Sequence, residues 1–151
     1  MSTQDVLIGI ECIFPKKGDI WNLFAFSDIS FGDFYFSVVD AAVFSHGRRI
    51  ELPEKFAPAF FQELVQQSFA SERLVLHLYP KMASFDEIVN YVDFLKSECE
   101  MIVLMYDFYY VEIYCKNRLW LHTFLRTAKD IPGAIVKEKD EKTDPRITMY
   151  V

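Results

Sequence analysis

Apolar and polar positions along the chain alternate in some stretches and recur at helical spacing in others. Val6–Ile13 alternates, with Val6, Ile8, Ile10 and Cys12 on one face, and Phe14-Pro15-Lys16 ends it. Gly18-Asp19 opens a short helix through Ile20, Leu23 and Phe24. Phe34–Val39 and Ala42–Phe44 read as two strands around Asp40, followed by a turn at His46-Gly47-Arg48 and a short strand at Ile50–Leu52. Pro58 suits the first turn of a helix whose stripe is Phe61, Leu64, Val65, Ser68 and Phe69. Arg73–Tyr79 is a strand stopped by Pro80.

Further on, Ser84-Phe85-Asp86-Glu87 has the form of a capping box, and Ile88, Tyr91, Val92 and Leu95 give the helix a buried stripe. Met101–Cys115 holds two apolar runs meeting at Asp107, a pair of strands turning at the acid. Asn117 caps a helix carrying Leu121, Phe124, Leu125 and Ala128. Ala134–Lys137 and Ile147–Tyr150 read as strands joined by the charged, solvated loop KEKDEKTDPR. Residues 73–138 thus run β-α-β-β-α-β, the order of a ferredoxin-like split βαβ unit. The predicted fold class is α+β, a mixed or antiparallel sheet with helices mainly on one face.

Residues 5–79 repeat that order more weakly. Ile13-Phe14-Pro15-Lys16 echoes Leu78-Tyr79-Pro80-Lys81, and Val38-Val39-Asp40 echoes Met105-Tyr106-Asp107. These echoes suggest a pseudo-repeat of 5–72 and 73–151, although unrelated strands also end in aromatic-Pro or meet at Asp. No linker separates the halves, so one compact domain over 1–151 is expected.

Alternation also sorts the strand faces. Leu74, Leu76 and Leu78 oppose Val75, His77 and Tyr79, while Val111, Ile113 and Cys115 oppose Tyr110, Glu112 and Tyr114. The aliphatic faces call for helices. The other face collects His77, Tyr79, Tyr110, Glu112 and Tyr114 as a candidate ligand-binding set. Met101–Tyr106 is apolar on both faces, so its second side needs a cover too: the rest of the chain, a second copy in a homodimer, or a ligand. A carboxylate among aromatic rings can hold an organic cation by charge and cation–π attraction. It can equally meet water, as Glu on an antiparallel strand usually does, or anchor a basic side chain of a partner.

Composition narrows the field. Hydrophobic residues make up 52% and aromatics 17% of the 151 residues, which suits a packed globule rather than a disordered chain. A formal net charge of −6 disfavours nucleic acid, and no basic amphipathic stretch suits anionic lipid. No apolar run reaches spanning length and no signal peptide is evident, so a cytoplasmic protein is expected. Cys12, Cys99 and Cys115 lack metal-type spacing, as do His46, His77 and His122, and neither metal nor cofactor is expected. Asp86-Glu87 would be explained by a helix first turn, and Asp40 and Asp107 by turns. No phosphate loop, GxSxG or HExxH occurs, and a Cys–His pair assembled in space is the remaining route to an enzyme.

The stretch Cys99–Lys116, CEMIVLMYDFYYVEIYCK, with an acidic loop and Arg146-Ile147-Thr148-Met149 behind it, resembles a small family of uncharacterised proteins from Gram-positive bacteria. The resemblance covers mainly the last third of the chain. It implies a bacterial cytoplasmic origin and transfers no site residues. A looser, topological similarity is to GyrI-like effector-binding domains, which duplicate a β-α-β-β module and can place a Glu among aromatics to bind lipophilic cations. The second helix of each half departs from that minimal module.

Three functional expectations follow. The first is a non-enzymatic binding module using the Tyr110–Glu112–Tyr114 face for a small organic or cationic ligand. The second is an interaction protein of the immunity type, neutralising a basic partner through electrostatic docking. The third is an enzyme with a Cys/His site, which requires a solvent-reachable thiol of depressed pKa.

Overall fold

A computed structural model describes residues 6–67 and 69–140 of the chain. Ser68 and the predicted strand Ile147–Tyr150 lie outside the described residues. The elements are β1 (Leu7–Ile13), α1 (Asp19–Ser27), β2 (Phe34–Ser45), β3 (Arg48–Ile50), β4 (Lys55–Phe56) and α2 (Pro58–Gln67), followed by β5 (Ala70–Pro80), α3 (Tyr91–Lys96), β6 (Met101–Tyr106), β7 (Tyr110–Cys115), α4 (Arg118–Asp130) and β8 (Ile135–Asp140). The fold is α+β: the eight strands form one sheet in the order β3-β2-β5-β6-β7-β1-β8, with β4 also paired to β2. Every ladder is antiparallel. β1, first in sequence, sits between β7 and β8.

The aliphatic faces of β5, β6 and β7 meet α1, α2 and α4, as the alternation predicted. Leu74, Leu76, Leu78, Met101, Val103, Met105, Val111, Ile113 and Cys115 join Ile20, Leu23, Phe61, Leu121 and Phe124 in the larger core. Aromatic rings lock it: Phe36 stacks on Phe61 at 4.5 Å, and Phe24 meets Phe61 edge-on at 5.2 Å. The Trp21 indole N–H donates to the Phe69 carbonyl. Asn117 caps α4 by accepting from Trp120 N–H at 3.1 Å. His46 and Gly47, at φ 50° and 78°, make the tight turn between β2 and β3.

The second face is covered by the chain itself. Residues 81–98, including α3, pack Ile88, Tyr91 and Phe94 onto Val75, Tyr79, Ile102, Leu104 and Tyr114. This is the cover that the doubly apolar β6 required; its residues Met101–Met105 are fully buried.

Several elements differ from expectation. β2 is one continuous strand: Asp40 lies at a bulge, where Val38 pairs with Leu76 and Asp40 with Val75, and its carboxylate pairs with Arg73. A bulge at the start of β1 turns Ile8 onto the second face, away from Ile10 and Cys12. The capping box is Asn90–Asp93 rather than Ser84–Glu87, so α3 starts later and buries Tyr91 and Phe94 while Val92 and Leu95 face outward. β3 ends at Ile50 rather than starting there. β8 extends into the predicted loop as far as Asp140, which brings Lys139 onto the sheet.

Candidate functional site

The five candidate residues share the second face but occupy two environments. Ladder register sets Ser37, His77, Ile102, Tyr114, Gly9 and Lys139 in one row across the sheet, and Val75, Leu104, Glu112, Glu11 and Lys137 in the next. His77 and Tyr79 lie beneath the covering segment. Phe85 stacks on the His77 ring at 6.1 Å, and the Tyr79 hydroxyl donates to the Asp86 carbonyl and accepts its N–H, both at 3.1 Å. Both His77 ring nitrogens are buried without a partner, and burial pushes the imidazole down to about 4. Burial raises Tyr79 well above the ordinary tyrosine range.

Glu112, Tyr110 and Tyr114 belong to the other environment, at the margin of that cover. The Tyr114 ring is buried against Tyr91 at 6.4 Å. Tyr110 stacks on Tyr106 at 5.1 Å, the two facing each other across the β6–β7 turn. That turn is held by Asp107 and Phe108 in left-handed conformations, φ 52° and 67°, whose N–H groups donate to the Glu72 and Ser71 carbonyls.

What Glu112 meets is the chain's own ammonium. Lys139 Nζ donates to Glu112 Oε1 at 2.7 Å and to the Tyr114 hydroxyl at 2.9 Å, and lies 3.6 Å from Glu11 Oε2. It also stands 5.4 Å from the Tyr114 ring centre. The Lys139 and Glu112 side chains are only 16% and 15% exposed, so this is a half-buried cluster rather than a surface ion pair. Burial opposes the charge on Lys139, but hydrogen bonds to Glu112 and Tyr114 outweigh it and hold the ammonium above its ordinary range. Burial pushes the Tyr114 and Tyr106 hydroxyls up to about 12, with Glu112 adding to the effect.

Gly9 makes the cluster fit. It lies opposite Tyr114 on one side and Lys139 on the other, and a Cβ there would come 2.8 Å from Tyr114 Cδ1 and 2.7 Å from the Ile113 carbonyl. The missing side chain leaves the space above β1 to the tyrosine ring and the lysine. The cluster carries two carboxylates and one ammonium. Lys137 stands opposite Glu11 in the next row, and the Tyr106–Tyr110 stack borders the cluster.

Glu11 and Lys139 were not among the sequence candidates. Glu11 alternates with Ile10 and Cys12 and so was legible as a second-face residue; Lys139 was hidden in a charged run that reads as loop. The Cys/His reading meets contrary geometry. Cys12, Cys99 and Cys115 are all buried, and burial pushes each thiol up to about 12. Cys99 Sγ contacts the Met101 carbonyl and Cys115 Sγ the Asn117 carbonyl, at 3.3 and 3.4 Å. Among the described residues no group of three or more His, Cys, Asp or Glu side chains could hold a metal ion. No helix among them is long and apolar enough to cross a membrane.

The fold and this cluster define an α+β protein with an antiparallel sheet and a charged, aromatic patch on its less covered face. The family model described as a protein of unknown function, DUF2691, matches residues 59–149, and the chain belongs to that family. The matched stretch contains Glu112, Tyr114 and Lys139 but not Glu11. An uncharacterized protein, YncE of Bacillus subtilis strain 168, is 28% identical over 89 residues, covering 56% of this chain. The aligned stretch spans 58% of that relative's length, and its source agrees with the expected Gram-positive family. No solved structure matches the chain.

Proposed function

We propose that this protein is a non-enzymatic binding module whose recognition surface is the sheet face around Glu112. One observation carries the reading: Glu112, Glu11 and the Tyr114 hydroxyl already cradle an alkylammonium, that of Lys139. A site that holds an ammonium in cis has the acceptors, spacing and partial burial to recognise one in trans. The Tyr106–Tyr110 stack supplies π-faces for the ligand's apolar part. A ligand cation engages Glu11 and displaces Lys139, so its affinity is the difference between its own contacts and those the lysine gives up. A thermal-shift screen against lipophilic quaternary ammonium and phosphonium ions tests this. Hits that weaken in Glu112→Gln support it; no hit, or hits indifferent to that substitution, removes it.

A second reading, an interaction protein of the immunity type, has its own observation. Met82, Phe85, Val89, Val92 and Leu95 are 95%, 47%, 46%, 47% and 48% exposed on the segment that covers the second face. Asp86, Glu87, Asp93 and Glu98 are interspersed among them, a mixture suited to a basic, apolar partner surface. Co-purification with the product of an adjacent toxin gene, lost in Phe85→Ser, separates this reading from the first.

A further inference from the structure

Toward the opposite edge of the sheet from the ammonium cradle, β2, β4 and the start of α2 border an open cleft of about 430 Å³ with the residues just after β5. Its apolar walls are Phe34, Tyr35, Phe56 and Pro58, and Lys55 and Lys81 line it beside them. No carboxylate is among its lining residues, in a chain where 22 acidic side chains outnumber 16 basic ones. Neither lysine takes part in an ion pair among the described residues. Lys55 Nζ stands 5.3 Å over the Tyr35 ring, and α2 opens on the cleft with no acidic residue in its first turn. That helix end adds a partial positive potential of the same sign as the two ammoniums.

We infer that this cleft binds a small organic anion with a flat apolar body, an aryl phosphate or aryl carboxylate. The walls are held in place by the core: Phe56 packs against Phe36 at 5.3 Å and Phe60 at 5.0 Å, and Tyr35 stacks on Tyr79 at 5.6 Å. The Tyr35 hydroxyl donates to the Ala83 carbonyl at 3.1 Å, which ties the β2 side of the cleft to the segment carrying Lys81. The aromatic walls take the flat body, and the two lysines, as flexible point charges, take the anionic head without a fixed bidentate geometry. The site is independent of the Glu112 surface and is opposite to it in charge preference.

Titration calorimetry with 1-naphthyl phosphate, inorganic phosphate and benzyltrimethylammonium tests the assignment, alongside amide chemical-shift mapping of the wild-type chain. The expected result is saturable binding of naphthyl phosphate at least tenfold tighter than that of phosphate, with shifts centred on Phe34, Tyr35, Phe56 and Lys81. Lys55→Gln and Lys81→Gln should each weaken it about fivefold, as befits partly exposed charge pairs, and Arg126→Gln, on an exposed helix face, should leave it unchanged. Absence of saturable binding, equal affinity for inorganic phosphate, shifts centred elsewhere, or indifference to both lysine substitutions would overturn the inference. The wild-type shift map stands even if a variant folds poorly.

Discussion

Replacing His77 offers the sharpest energetic test of how the second face is built. The imidazole is 1% exposed, stacked on Phe85, beside Tyr79, and flanked in its row by Ser37 and Ile102. Neither ring nitrogen has a partner, and burial lowers its pKa to about 4. In the unfolded chain the same ring titrates near about 6.5, so between those values the unfolded state binds more protons. Stability is therefore complete at neutral pH and declines as pH falls through the window from about 6.5 to about 4. The two pKa values give a loss of about 1 kcal/mol at about pH 5.5, growing to about 2–3 kcal/mol at about pH 4.5. His77→Leu removes this term. It also removes two unsatisfied polar atoms, worth roughly 1–3 kcal/mol, against a lost ring stack of roughly 0.5–1.5 kcal/mol. Urea unfolding of both proteins across this pH range isolates the term, because the carboxylates and the other two histidines titrate in both and cancel in the difference. The variant should match or exceed the wild type at neutral pH, and the gap should widen in its favour on acidification. Parallel pH profiles would refute the burial of an unpaired His77.

Further outcomes follow from other parts of the molecule. Gly9→Ala should destabilise by at least about 1–3 kcal/mol in chemical denaturation, since the added methyl collides with the Ile113 carbonyl and the Tyr114 ring; an unchanged midpoint would contradict the close approach. Cys12, Cys99 and Cys115 should react with a thiol-specific disulfide reagent at neutral pH only at the rate of unfolding, and fast labelling would instead favour the Cys/His reading. Asn90→Ala should cost about 1 kcal/mol through loss of the Asn90–Asp93 capping box, whereas Ser84→Ala should cost far less.

Strand faces and long helices were legible because burial enforces them. Leu74, Leu76 and Leu78 face the helices for the same reason that His77 and Tyr79 do not: side chains alternate, and one face had three amphipathic helices to cover it. Asn117 and the Leu121–Ala128 stripe gave α4 equally directly. Three features depended on information that does not lie in local pattern. The bulges at Ile8 and in β2 shift register by one residue, and apolar residues on both sides of the shift hide it. The cap of α3 falls six residues after Ser84, at Asn90, because Asn90 and Asp93 satisfy each other, while Tyr79 claims the backbone of Asp86 instead. Lys139 became part of the site only because β8 pairs with β1 across Gly9, a contact between opposite ends of the sequence. The candidate face was therefore visible in the alternation of Tyr110, Glu112 and Tyr114, but the group that completes it was not.

The central claim, that Glu112, Glu11 and Tyr114 form a cradle for a cation, is tested most directly by emptying it. Calorimetric titration of benzyltrimethylammonium into wild type, Lys139→Met and Glu112→Gln compares the cradle occupied by its own lysine, vacated, and stripped of its principal carboxylate. Binding should be strongest in Lys139→Met, weaker in the wild type where the ligand must displace the lysine, and weakest in Glu112→Gln. Equal affinity in all three proteins, or no binding to a folded Lys139→Met, would contradict the account.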